Sequence, residues 1–220
     1  IGKRLPRSVA GGIGLGSVGL AAAVAVAIAV EFVQSPPSGG IWMQELWTWM
    51  AVGRLEVAVG LYLDAVSLLM MTVVTVVGFL IHLYSLEFME EDEGFSRFFA
   101  YMNLFVASML VLVLADNLLL LYLGWEGVGI CSYLLIGFWY RDSSNGSAAR
   151  KAFVVTRIGD TALAVGLFLI VWEFGTFGIQ QVMGEAAGRW AVGSGMAGSA
   201  GAGRPSAANL YTPRCSYPVS

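Results

Sequence analysis

Three ionisable residues stand where charge is expensive. Glu126 lies in an otherwise uncharged apolar run over residues 118–140. At 1.5 Å per residue it sits about 12 Å along a helix built from that run. A charge at mid-bilayer costs about 2.5–3.5 kcal/mol on insertion scales, so an acid kept there has a partner or a task. Withdrawal from water favours its neutral form and brings proton exchange near neutral pH, which is what a proton relay needs. The flanking segment Leu123-Gly124-Trp125-Glu126-Gly127-Val128-Gly129 is poor in bulk, leaving room for water or a neighbouring helix. The plainer reading is an acid hydrogen-bonded for structure alone.

Arg157 and Asp160 occupy a later apolar run. Their i,i+3 spacing puts them on one helix face. Such a pair can neutralise itself, easing insertion and fixing helix packing, or it can tune the Glu126 proton and pass it along. Lys151, six residues before Arg157, and His82, on an otherwise apolar stretch, are weaker candidates for proton handling. Asp64 and Asp116 fall at the ends of apolar runs, where helix capping or interfacial solvation accounts for them. Glu87, Glu90, Glu91, Asp92 and Glu93 read as a solvated loop or a contact for a partner.

The elements that hold these residues are dictated by composition. Of 220 residues only 12% are charged, 57% are hydrophobic, and mean hydropathy is +0.74. Soluble domains carry about 25% charged residues, so this chain cannot coat a globule in water. Nor can so much apolar surface remain disordered. A net charge of −3 with no basic patch excludes nucleic acid as a partner. Cys131 and Cys215 have neither zinc-ligand spacing nor a disulfide framework, and His82 is the single histidine. No cofactor and no metal are expected. Gly14-Leu15-Gly16-Ser17-Val18-Gly19 fits a dinucleotide-binding pattern but lies inside an apolar run with no strand before it, so small residues easing helix approach are the better reading.

A spanning helix needs about 20 mostly apolar residues. Five runs qualify, over residues 8–30, 61–86, 98–115, 118–140 and 152–172. Lipid admits no open sheet edge, so all five are expected to be helices. Lys3, Arg4, Arg7, Arg97, Arg141, Arg150 and Lys151 fall on one side of the resulting topology, with Arg54 on the other. The positive-inside rule puts the N-terminus in the cytoplasm or its equivalent. Trp42, Trp47 and Trp49 read as an interfacial belt in the first outer loop. The sequon at Asn145 falls on the inner side, away from glycosylation. The first run is too long for the core of a signal peptide, and a chain opening on Ile is expected to begin inside a longer protein. The predicted plan is an all-α polytopic bundle. It has a cytoplasmic segment 1–7, a transmembrane region 8–172 and a Gly/Ala/Ser/Pro-rich tail 173–220, irregular or aberrant.

These residues resemble a known family. Leu63-Asp64-Ala65-Val66-Ser67-Leu68, Ser96-Arg97-Phe98-Phe99-Ala100-Tyr101, Ala115-Asp116-Asn117-Leu118 and Gly124-Trp125-Glu126-Gly127-Val128-Gly129 are similar to segments of the largest antiporter-like subunits of proton-pumping NADH:quinone oxidoreductase (respiratory complex I). Cys131-Ser132-Tyr133-Leu134-Leu135-Ile136-Gly137-Phe138 and Lys151-Ala152-Phe153-Val154-Val155-Thr156-Arg157-Ile158-Gly159-Asp160 continue the likeness, which runs from about residue 14 to 177. The resemblance implies that Glu126 is a main proton-translocating carboxylate and that Asp160 supports it. It also implies that protons enter from the cytoplasm or matrix side, and that no redox cofactor is bound in this subunit. The implied partners are protons, the bilayer and the other membrane subunits of complex I. The implied location is a bacterial plasma membrane, or a mitochondrial inner membrane.

The family has fourteen or more spans, with a lysine downstream that pairs with the acid. Here Gly203-Arg204-Pro205-Ser206-Ala207-Ala208 is only a faint echo. A chain of this length is not expected to pump by itself. The alternatives are the large subunit of a multisubunit cation/proton antiporter, whose relatives surround the acid with W-E-L-T-S, or a non-functional membrane fragment.

Overall fold

A computed structural model describes residues 6–37, 39–52 and 55–193. In chain order the elements are α1 (Arg7–Gln34), β1 (Trp42–Val52), β2 (Leu55–Leu63), α2 (Ala65–Phe88), α3 (Phe95–Val113), α4 (Leu118–Ile136), α5 (Ser143–Phe174) and α6 (Ile179–Gly193). The first five helices are each long and apolar enough to cross a membrane. The helical membrane bundle therefore forms as its hydropathy requires. Lys3, Arg4, Arg54 and the tail from residue 194, with Arg204 and Cys215, lie outside the described residues.

Polar residues at the run ends start the helices. Asp64 accepts the Ser67 N–H at 2.7 Å, Asn117 that of Leu120 at 2.8 Å, and Asp142 that of Ser144 at 2.9 Å. α5 stops at Gly175, whose φ of +69° lies in the left-handed region that favours glycine. α1 buries a stripe of small residues, Gly11, Gly14, Val18, Ala22 and Ala25. A Cβ on Gly14 would lie 2.9 Å from the Phe99 ring, and one on Gly19 2.9 Å from Phe79. The glycine pattern of α1 thus serves close helix packing, although Gly16 faces open space.

Two expectations are corrected. The connection between the first two spans is an antiparallel hairpin, in which Trp42 pairs with Leu63 and Val52 with Leu55. Leu61 and Leu63 belong to β2 and not to the second span, which begins at Ala65. β2 alternates Val57, Val59, Leu61 and Leu63 with smaller or polar neighbours, a strand period hidden beside the apolar run that follows. In β1 two register shifts, between Glu45 and Trp47 and between Thr48 and Met50, break that alternation. The irregular reading of 173–220 fails over α6. Ile179, Val182, Met183 and Ala186 recur at helical spacing, but the tail's overall Gly/Ala/Ser/Pro content masked this short period.

The connections gather at two ends. At one end Asp116 and Asn117 tie three segments together. The Asp116 carboxylate lies against Gly60 of β2, Asn117 donates to Ala58 O at 2.8 Å, and the Ile179 N–H reaches Asp116 O at 3.2 Å. Burial pushes the Asp116 carboxyl above the ordinary range, although the Asn117 amide opposes this. At the other end Arg7 donates to Glu90 O at 2.6 Å, Arg97 to Phe138 O at 3.2 Å, and Arg141 pairs with Glu93 at 2.9 Å. Here the Trp139 indole N–H, 2.8 Å from Asp92, and the Gly94 N–H hold Asp92 below its usual value. Arg7, Arg97 and Arg141 share one end, as alternating spans demand.

Candidate functional site

α4 carries Glu126 and is seated by its glycines. A Cβ on Gly124 would come within 2.6 Å of the Leu112 backbone, and one on Gly127 within 2.6 Å of Ser108 Oγ. Leu120, Gly124 and Cys131 are buried along α4, and Gly124 and Gly127 lie directly against α3. The glycines therefore admit a neighbouring helix, and Gly129 alone among the three has open space around it. This seating leaves Trp125 and Glu126 to meet α5.

Across that boundary Glu126 Oε2 and Arg157 Nη1 form an ion pair. The same Nη1 lies 3.9 Å from Asp160 Oδ2. Side-chain exposure is 18% for Glu126, 31% for Arg157 and 9% for Asp160, so all three are largely withdrawn from the surface. The other Asp160 oxygen, Oδ1, accepts the indole N–H of Trp125 at 2.7 Å. Phe153, one turn before Arg157, places its ring 4.6 Å from the guanidinium carbon, and the Tyr133 ring packs on Phe153 at 5.1 Å. One cation thus faces two acids from different helices. An arrangement of that kind can hold one proton or one charge in alternative places.

Glu126, Arg157 and Asp160 are brought together, and Lys151 and His82 are not. Lys151 is exposed on the first half of α5 and makes no ion pair among the described residues. His82 is 0% exposed, on α2, which packs against α1 and α3, with Phe99 5.9 Å away. Its Nδ1 lies 2.7 Å from Gly78 O. A carbonyl only accepts, so Nδ1 carries a proton, and the buried Nε2 has no hydrogen-bond partner among the described residues. Asp64 is a helix cap, and Asp116 a structural tie. Trp125 is a residue that sequence reasoning missed, standing there only within the segment that flanks Glu126. Its one available signal was adjacency to Glu126, because an indole in lipid needs an acceptor for its N–H.

The family described as "NADH-Ubiquinone oxidoreductase (complex I), chain 5 N-terminus" matches residues 49–99, and "NADH:quinone oxidoreductase/Mrp antiporter, TM" matches residues 115–200. The second match carries the likeness past residue 177, where the sequence segments above had ended it. NADH-quinone oxidoreductase subunit L of Escherichia coli (strain K12) is 54% identical over 193 residues, covering 88% of this chain and 31% of that protein. The subunit L of Pseudomonas aeruginosa is 56% identical over 171 residues, covering 78% of this chain and 28% of the relative. The chain spans about a third of the length of these relatives.

Two solved structures share the fold. The Mrp complex from Dietzia sp. DQ12-45-1b aligns with a TM-score of 0.62 at 24% identity, over 81% of this chain and 21% of that one. The membrane-bound sulfane sulfur reductase, an archaeal respiratory membrane complex, aligns with a TM-score of 0.68 at 19% identity, over 88% of this chain and 28% of that one. Both likenesses speak to architecture alone. The colinear matches, the five membrane-type helices and the acid-bearing α4 lead to one conclusion: the chain belongs to the antiporter-like membrane subunits of NADH:quinone oxidoreductase, the subunit L and chain 5 family.

Proposed function

We propose that this chain forms part of a proton-translocating membrane subunit in which Glu126 takes up and releases a proton as Arg157 changes partner. The observation that carries this is the single guanidinium shared between Glu126 on α4 and Asp160 on α5. With Arg157 on Glu126, the carboxylate is held ionised. When Arg157 turns to Asp160, Glu126 is left in a low-dielectric setting that favours its protonated form. The charge that drives the turn comes from partner subunits, coupled to quinone reduction elsewhere in the assembly.

Proton entry fits the end where Arg7, Arg97 and Arg141 gather, which we take as the cytoplasmic or matrix side. A cavity of about 210 Å³ opens there, lined by Arg97, Tyr101, Tyr133 and Tyr140 among others. Tyr133 packs on Phe153, which in turn carries Arg157, so the cavity lies on the approach to the ion pair. Lys151 and His82 stand outside this unit.

The test uses the full-length subunit assembled in its complex in proteoliposomes. Glu126→Gln keeps size and hydrogen bonding but cannot ionise. Electron transfer from NADH to quinone should persist in the assembled complex while proton transfer falls to a small fraction. Undiminished proton transfer in that variant sinks the relay.

A further inference from the structure

The Trp125 indole is not needed to close the ion pair, yet its N–H is committed to it. Trp125 Nε1 donates to Asp160 Oδ1 at 2.7 Å, while Asp160 Oδ2 stands 3.9 Å from Arg157 Nη1. Asp160 and Arg157 are one helical turn apart on the same face, so nothing in the backbone prevents a closer pair. The carboxylate is instead hydrogen-bonded across the helix boundary to Trp125. Arg157 is then free to engage Glu126, the residue next to Trp125 on α4. Consecutive residues of one helix thus take the two members of an α5 ion pair apart, the indole holding the acid and the carboxylate holding the base.

We infer that Trp125 is a positioning residue that sets how Arg157 divides between Glu126 and Asp160. The inference rests on the relay reading above and deepens it. A hydrogen bond to an ionised group in a low-dielectric site is strong and directional. Losing it frees Asp160 Oδ1 and lets the carboxylate swing onto Arg157. Glu126 then loses its counter-charge without any change to its own side chain. Asp160 controls the outcome, because an uncharged residue there cannot compete for the guanidinium.

The experiment compares four forms of the full-length subunit in assembled complex: wild type, Trp125→Phe, Asp160→Asn and the double variant. Phe keeps the aromatic bulk and removes only the donor. In the otherwise wild-type protein, Trp125→Phe should slow coupled proton transfer about tenfold, the scale of one hydrogen bond to a charged group. In the Asp160→Asn background the same substitution should change the rate by less than about twofold, since no carboxylate remains to capture Arg157. Trp125→His, which retains a ring N–H, should recover part of the loss. A purely structural role for the indole predicts equal losses in both backgrounds and no recovery by His, and either result overturns the inference. Glu126→Gln run alongside separates the two ideas. If that variant pumps normally, the relay fails. If it does not, and Trp125→Phe is silent or equally harmful in both backgrounds, the role of Trp125 alone fails.

Discussion

The two halves of this helical unit handle buried polarity in opposite ways. In the α1–α3 half, the buried polar side chains turn back on their own helix, and Ser17 reaches Asn103 across α1 and α3 only at the exposed surface. His82 bonds to Gly78 O, Thr75 to Met71 O at 2.8 Å and Ser85 to Ile81 O at 2.7 Å, all one turn away. In the α4–α5 half, Glu126 and Asp160 find partners on another helix, Arg157 and Trp125 respectively. A group satisfied within its own turn keeps its bond whatever the neighbouring helix does. One satisfied across a boundary changes energy when the helices or their charges move. Only the second arrangement can couple a proton to a distant event, which is why we propose the relay there despite the deeper burial of His82.

Substitutions sharpen this contrast in order of size. Arg157→Leu removes the shared cation and leaves two acids facing each other. Proton transfer should drop well over tenfold, each factor of ten being about 1.4 kcal/mol in the barrier. An assembled complex that pumps normally with this change would erase the distinction between the halves. Gly124→Val forces a side chain against the Leu112 backbone, which cannot yield as a side-chain tip can. Overpacking of this kind should lower stability by about 2–3 kcal/mol, read as a fall in the thermal midpoint in detergent micelles. His82→Leu removes one self-satisfied bond and one nitrogen that has no partner among the described residues, so it should cost no more than about 1 kcal/mol and leave pumping unchanged. A large pumping defect there would place the α1–α3 half in the charge pathway.

The two ends of the bundle offer a gentler test by pH. Asp116 has a raised folded pKa, so the folded state binds its proton more tightly than the unfolded chain. Its contribution is most favourable below the ordinary carboxylate range and is lost as pH rises through the raised value. Asp92 runs the other way. Its folded value is lowered, so its contribution is present above the ordinary value and is lost as pH falls through the depressed one. Stability profiles of Asp116→Asn and Asp92→Asn against pH should therefore lose slopes of opposite sign. Smallest of all is Arg141→Ala. Its ion pair with Glu93 is 78% and 79% exposed, so loss should stay within about 1 kcal/mol and fade with added salt.

Much of this architecture is written locally. Hydropathy marks five spans because lipid exposure is a property of each segment by itself. The cap residues Asp64, Asn117 and Asp142 are legible because they serve backbone groups two or three positions away. The hairpin was harder to see. Two register shifts broke the alternation of β1, and the apolar strand β2 adjoins an apolar helix. α6 was obscured in the same way, its short helical period lying within a stretch of helix-breaking composition.

The sequence by itself determined that Glu126, Arg157 and Asp160 are charges retained in lipid, and that Arg157 and Asp160 share a face. It determined neither that Glu126 and Asp160 face the same cation nor that an indole holds one of them back. Those facts depend on how α4 is rotated about its axis, which is set by Gly124 and Gly127 against Leu112 and Ser108 of α3. Hydrophobicity and helix period are read from neighbours along the chain. The choice of partner for a buried charge is made between helices, by close contacts among residues far apart in sequence, and only the tertiary structure contains them.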